Sequence, residues 1–159
     1  MKTNNITYGL IGAIILCVMF ALQWFAKIPL DNMLYKWLPT AIFVLVVILG
    51  AMNFSKINEA NVTFGQVFGN GFKTTAVITV IFALFFVLFI LLFPDYKDVI
   101  LDSSMAQSAN KGATPEQIAQ AREMAEKFFL VGGLAGVIFI DLLIGVLASL
   151  VGAAIAKKK

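Results

Sequence analysis

Four long apolar runs dominate the sequence and decide what the chain can fold into. They cover about residues 8–26, 37–54, 72–94 and 128–156, and 60% of all residues are hydrophobic while only 13% are charged. Soluble domains hold roughly 45–50% apolar residues, and a helix needs about 20 of them to cross a bilayer core. The runs do not alternate as barrel strands do. We therefore predict an all-α polytopic membrane protein with four transmembrane helices.

The shortage of titratable side chains narrows the function. The chain has no histidine and a single cysteine, Cys17, so it can form no internal disulfide, no His/Cys metal site and no histidine proton relay. No nucleophile stands beside a base. We expect a non-enzymatic protein with no metal and no cofactor. Its expected partners are the lipid bilayer and either other membrane-protein subunits or a second copy, not nucleic acid.

The distribution of charge predicts the orientation. Basic residues tie at six on each side of a four-span arrangement, but the side that holds both termini has only Glu59 as an acid, against seven acids on the other. The terminal "KKK" lies directly against a span, whereas Lys111 and Arg122 lie within a long loop. Charge close to a span has more influence on orientation than charge in a long loop. We predict that both termini are cytoplasmic.

The segment "VTFGQVFGNGFKTT" has the pattern of a helix start. Thr63 stands three residues before Gln66, which is the spacing of a capping box, and apolar residues then recur at helical intervals. We interpret the segment as a short interfacial helix that leads into the third span. Its defining residues are Thr63, Phe64, Gly65, Gln66 and Lys73.

The glycines of this segment also invite comparison with a phosphate-binding loop. Such a loop needs Lys directly after its last Gly, but here Phe72 separates Gly71 from Lys73. Nucleotide binding is therefore disfavoured. Gly65 and Gly69 are four residues apart, a spacing typical of close helix packing, and we assign them to that role.

A second helix start precedes the last span. In "ATPEQIAQAREMAEKFF", Thr114 is the predicted N-cap, followed by Pro115 and Gln117, and the pattern predicts an amphipathic outer helix. The preceding "DSSMAQSANKGA" is small and polar, typical of a mobile linker, and a glycine pair at 132–133 marks a position for a bend. The chain is thus expected to form one domain, 1–159, with spans at about 8–26, 37–54, 72–94 and 134–156 and an outer loop with its helix at about 95–133.

Asp141 is the candidate functional residue because it lies inside the last apolar run. A charge at the centre of a transmembrane helix costs roughly 2.5–3.5 kcal/mol on insertion scales. If the terminal lysines fix the inner end of the span, Asp141 lies near the outer boundary of the hydrocarbon, about 6 Å inside it. It also heads a stripe of small residues, which is where helices approach each other, so it should face protein, either this bundle or a second chain. The stripe comprises Gly145, Ala148, Ser149 and Gly152.

Two hypotheses about function follow from Asp141. The first is a subunit or assembly factor of a membrane complex that associates through the small-residue face of the last span. The alternative is a small proton-linked transporter or channel in which Asp141 takes up and releases a proton. For that path the spans offer few further polar groups: Asn53, Thr75, Thr79 and Ser149.

The chain resembles a family of small four-span bacterial membrane proteins, domain of unknown function 4199 (DUF4199). The resemblance rests on "YGLIGAIIL", on "VTFGQVFGNGFKTT", on "TPEQIAQAREMAEKFF" and on the small-residue last span that ends in "KKK". It implies residence in the inner membrane of Gram-negative bacteria. It implies no catalytic residues, since the family has no assigned activity.

Overall fold

A computed structural model describes residues 4–158, which form five helices and no strand. Four of these helices are long and apolar enough to cross a membrane, and the remaining helix, Asp95–Asn110, is not. The predicted all-α architecture with four spans is confirmed. The helices are α1 (Asn4–Phe25), α2 (Met33–Ile57), α3 (Phe64–Leu92), α4 (Asp95–Asn110) and α5 (Pro115–Ile155).

Both predicted capping boxes are confirmed. The backbone N–H of Gln66 donates to Thr63 Oγ1 at 3.3 Å, and the Thr63 N–H donates to Gln66 Oε1 at 2.9 Å. Thr114 and Gln117 exchange the same two bonds at 3.3 and 3.0 Å. Each pair satisfies backbone donors that a helix start would otherwise leave unpaired. The α3 and α5 helices therefore begin well before the apolar runs that they contain.

The segment between the last two spans is more helical than its composition suggests. The predicted mobile linker lies mostly in α4, which continues to Asn110 and ends before Gly112, whose φ of 89° suits glycine. α5 then runs for 41 residues, and its backbone stays helical through Gly132 and Gly133. The outer amphipathic segment and the last span are thus one helix.

The described residues divide into two compact units. The first contains the residues up to Ala83 together with those from Val137 onward, and the second is Leu84–Gly136. In the second unit Leu101 of α4 is buried, and the ring of Tyr96 packs edge-on against Phe89 with 5.6 Å between centroids. Burial raises the pKa of Tyr96 to about 12.

Close approach of helices builds the core of the first unit. A Cβ on Gly12 of α1 would lie 2.7 Å from the Ile78 side chain of α3, and one on Gly152 of α5 would lie 2.8 Å from Ala51 of α2. Without a hydrophobic force between helices in lipid, such small-residue contacts are what hold helices together. The main buried cluster draws on all four spans: Ala13, Leu16, Phe43, Val46, Val47, Ile78 and Ala148.

Asparagine side chains join three helices at the end of the first unit where α1 begins. Asn4 Nδ2 donates to the Gly50 carbonyl at 2.7 Å, and Asn53 Nδ2 donates to Asn4 Oδ1 at 2.7 Å. Asn70 of α3 donates to the same Gly50 carbonyl at 3.2 Å. Interhelical hydrogen bonds of this kind stabilise membrane bundles modestly. The network fixes the ends of α1, α2 and α3 relative to one another.

Candidate functional site

A seam of small and polar residues runs along the contact between α3 and α5. A Cβ on Gly71 would lie 2.9 Å from Ser149 Oγ, and a Cβ on Gly145 would overlap the Thr75 side chain. The partners on both helices are four residues apart, so one antiparallel register carries the whole seam. In order, the pairs are Gly71 with Ser149, Thr75 with Gly145, and Thr79 with Asp141.

This seam determines where the predicted small-residue stripe of α5 lies. Gly145, Ala148, Ser149 and Gly152 are all buried, and α2 and α3 of the same chain cover them. Sequence alone left open whether the stripe meets this bundle or a second chain; it meets this bundle. Because helices of the same chain enclose these four residues, the structure does not support the predicted association with other proteins through this face.

Asp141 stands at one end of the seam beside a small cavity. The cavity has a volume of about 130 Å³ and is lined by apolar side chains of all four spans and by two further polar ones, Gln23 and Thr40. Gln23 lies two residues before the end of α1, and Thr40 lies in the second turn of α2. The half-buried Asp141 therefore lies close to the end of the bundle where α1 passes into α2.

Three polar atoms along the seam are buried without a hydrogen-bond partner among the described residues. They are Thr75 Oγ1, Thr79 Oγ1 and Asp141 Oδ2. Thr79 is the polar side chain adjacent to the Asp141 carboxylate, but the two groups do not reach hydrogen-bond geometry. Buried polar groups are normally paired, and an unpaired one costs about 1–3 kcal/mol. The Asp141 end of the seam is thus the least satisfied polar region of the bundle.

The outer face of α5 contrasts with the seam. We define it by Phe128, Gly132, Ala135 and Gly136 of the second unit, whose spacing places them on one side of the helix. Nothing among the described residues lies within 4 Å of a Cβ built on Gly132 or Gly136, and Phe128 is more than half exposed, at 54%. Only 17% of the most apolar 18 residues of α5 are buried, against 28–33% in α1, α2 and α3. This face is apolar, contains two glycines and is uncovered.

The predicted interfacial residues Thr63, Phe64, Gly65, Gln66 and Lys73 lie in and just before the first turns of α3. The assignment of Gly65 and Gly69 to helix packing is wrong, because none of the residues that the structure describes lies within 4 Å of a Cβ at either position. Both glycines instead line a cavity of about 400 Å³, and so does Lys73. We call it the Lys73 cavity.

Comparison with known proteins gives one match. Residues 6–158, nearly the whole chain, match a family described as "Protein of unknown function (DUF4199)". No curated protein and no solved structure matches. The predicted resemblance is confirmed.

Proposed function

The chain belongs to the DUF4199 family, whose function is unknown, and from that premise we propose that it is a non-enzymatic subunit of a membrane complex. The proposed contact is the outer face of α5, and the proposed occupant is the same face of a second copy. The observation that carries the proposal is the uncovered pair Gly132 and Gly136.

Glycine in the middle of a helix is destabilising relative to alanine. It is therefore expected there mainly where the lack of a side chain allows another group to come close. Along α5 the other described glycines at Gly133, Gly145 and Gly152 are each in contact with another helix. Two glycines four residues apart allow two transmembrane helices to bring their backbones together. A second copy is the matching occupant, because identical glycine faces across a twofold axis close into a dimer.

Cysteine cross-linking in native membranes tests the occupant. In a Cys17→Ala background, Gly132→Cys should form a disulfide-linked dimer of this chain, whereas Leu45→Cys on α2, which is 56% exposed, should not. Gly132→Leu should convert the native complex to a monomer. A cross-link to a different protein would replace the second copy with that protein. Equal cross-linking at both positions, with no effect of Gly132→Leu, would refute the contact.

We also propose that the complex resides in the bacterial inner membrane with both termini cytoplasmic. The support is the charge balance, since the side with the termini carries six basic residues and one acid outside the spans. A C-terminal fluorescent protein, which folds in the cytoplasm, should fluoresce. A C-terminal alkaline phosphatase, active only in the periplasm, should be inactive, and the reverse pattern would invert the topology.

A second candidate function is proton-linked transport through Asp141. It is favoured by the unpartnered oxygens of Thr75, Thr79 and Asp141, which follow one another along the seam. A carboxylic acid can exchange a proton, and polar groups in a span commonly mark such paths. The cavity beside Asp141 is lined by Asp141 but by neither Thr75 nor Thr79, so it does not follow the seam. Association therefore remains the better-supported proposal.

Substitutions at Asp141 separate the two candidates. The chain would be reconstituted in vesicles containing a pH-sensitive dye, and Asp141→Asn and Asp141→Leu would be compared with the parent. Proton uptake that both variants abolish supports transport. No proton flux in the parent, together with a dimer that survives in both variants, supports association through the outer face of α5.

A further inference from the structure

We propose that the Lys73 cavity binds a phosphate group that carries hydroxyls, such as a glycerol phosphate. The cavity lies at the end of the bundle where α1 begins and α2 ends. Its volume of about 400 Å³ falls within the roughly 300–1,000 Å³ of small-ligand sites. This inference does not depend on the contact proposed for α5.

The described lining of the cavity is rich in amide side chains. Lys73 is the one charged residue among the described residues that line the cavity, and none of the residues from 4 to 158 forms an ion pair with it. An unpaired ammonium beside polar hydrogen-bonding groups suits an anion. The amide side chains that line the cavity are Asn5, Asn58, Asn61, Gln66 and Asn70.

The hydrogen bonds already made by these amides show what remains for a ligand. Gln66 uses its oxygen on the Thr63 N–H, which leaves its NH₂ group as a donor. Asn58 and Asn70 use their NH₂ groups on the carbonyls of Phe54 and Gly50, which leaves their oxygens as acceptors. Asn70 is only 6% exposed, so its side-chain oxygen is part of the packed wall of the cavity and not of an exposed surface side chain. Donors fit phosphate oxygens, and acceptors fit hydroxyl groups.

The glycines of α3 provide the space. Gly65, Gly69 and Lys73 follow one another at intervals of four residues, so they share one side of α3. Within the described part of the chain nothing lies within 4 Å of a Cβ added to Gly65 or Gly69, so the backbone at both positions is open beside the ammonium. A side chain at either position would occupy the space that the ligand needs.

The surroundings favour an anion and allow a lipid. Lys158 places its ammonium 5.2 Å from the centre of the Phe64 ring at the start of α3, which adds positive charge to this end. Ile6 and Phe54 give the cavity an apolar side, and Ile6 is 44% exposed. The phosphate could therefore belong to the headgroup of an anionic phospholipid, with acyl chains along α1, or to a soluble polyol phosphate.

Binding to the purified full-length chain tests the site and separates the two sources. Native mass spectrometry from zwitterionic detergent would use phosphatidylglycerol, phosphatidylcholine and glycerol 3-phosphate as probes. We expect phosphatidylglycerol or glycerol 3-phosphate to bind in preference to phosphatidylcholine. Binding of phosphatidylglycerol alone identifies a lipid site, and binding of glycerol 3-phosphate by itself identifies a soluble ligand.

Three variants locate the site. Lys73→Gln should weaken binding about fivefold, as expected for one lysine near an anionic group, and Gly69→Leu should abolish it by filling the cavity. Lys56→Gln is the matched control, because Lys56 is exposed at the same end but does not line the cavity. Phosphatidylcholine bound as well as the anionic probes, or Lys73→Gln and Lys56→Gln with equal effects, would overturn the proposal. Undiminished binding in Gly69→Leu would also overturn it.

Discussion

The inner and outer halves of α5 use the same residue types in different surroundings. In the inner half Gly145 and Gly152 are pressed against α3 and α2, whereas in the outer half no described residue lies within 4 Å of a Cβ built on Gly132 or Gly136. A glycine stripe in an apolar helix therefore predicts a close approach without identifying the partner. Where the stripe is covered it holds the fold together, and where it is bare it remains available for an intermolecular contact.

The sharpest test of this comparison puts the same side chain into both halves. Gly145→Leu should prevent stable folding, because its Cβ alone would overlap Thr75 and overpacking a core typically costs about 1–3 kcal/mol or more. Gly132→Leu should leave the unfolding temperature unchanged and affect only the proposed dimer. Fluorescence-detected gel filtration after heating measures both. Equal losses of folded protein would remove the distinction between the halves.

A smaller loss of stability is expected when a hydrogen-bonded hydroxyl is removed from the seam. Ser149 Oγ donates to the Gly145 carbonyl at 2.6 Å and is fully buried. Ser149→Ala removes that bond and should lower the free energy of unfolding by about 0.6 kcal/mol, the average for polar contacts in membrane bundles. Chemical denaturation in mixed micelles measures it. Ala135→Ser, an exposed position in the outer half, is the control and should have no effect.

Removing a hydroxyl of the seam that has no hydrogen bond should not lower the stability of the protein. Thr75 Oγ1 is buried without a partner among the described residues, so Thr75→Val removes an unpaired polar group and keeps the shape. We expect unchanged or slightly higher stability in the same denaturation experiment. A clear loss of stability would mean that the hydroxyl has a partner, such as an internal water. In that case the packing account of the seam would need revision.

The smallest effect is expected on the surface of the second unit. Arg122 pairs with Asp102 and with Glu126, and these neighbours raise the pKa of its guanidinium. All three side chains are at least 39% exposed, and exposed ion pairs contribute little. Arg122→Gln should leave the unfolding temperature unchanged at low and at high salt. A salt-dependent loss would show that the outer part of α5 needs this pair.

Much of the fold could be predicted from sequence because lipid permits few solutions. Apolar runs of spanning length determine the number of spanning helices, although not the presence of α4. Thr63 and Thr114 determine two helix starts through local hydrogen bonds. Asn32 was missed as the cap of α2, although its side chain accepts the N–H groups of Leu34 and Tyr35. The surrounding "DNMLYKW" lacks the Glu or Gln that completes a capping box.

The site could be predicted only in part. The periodicity of α5 shows which side Asp141 faces, but it cannot show that Thr79 of α3 lies there, since that depends on the register between two distant helices. The asparagine network was also missed, since Asn53 was considered only as a polar group for a proton path. Asn4 and Asn70 lie in polar stretches near helix ends, where an asparagine that joins helices looks the same in sequence as one that faces water.

The α3–α5 seam repeats so regularly that contacts near its ends help to distinguish the observed register from a shifted one. Because partners recur every four residues, sliding α5 by one turn, about 5.4 Å, would still bring small residues opposite one another through most of its length. The ends differ, because Asp141 would then meet Ala83 or Thr75 instead of Thr79. At the opposite end, Ser55 of α2 donates to the carbonyl of Lys157. The alignment of the longest helix is therefore selected by contacts outside the repeat, which include the Ser55 hydroxyl and the approach of Gly152 to Ala51 of α2.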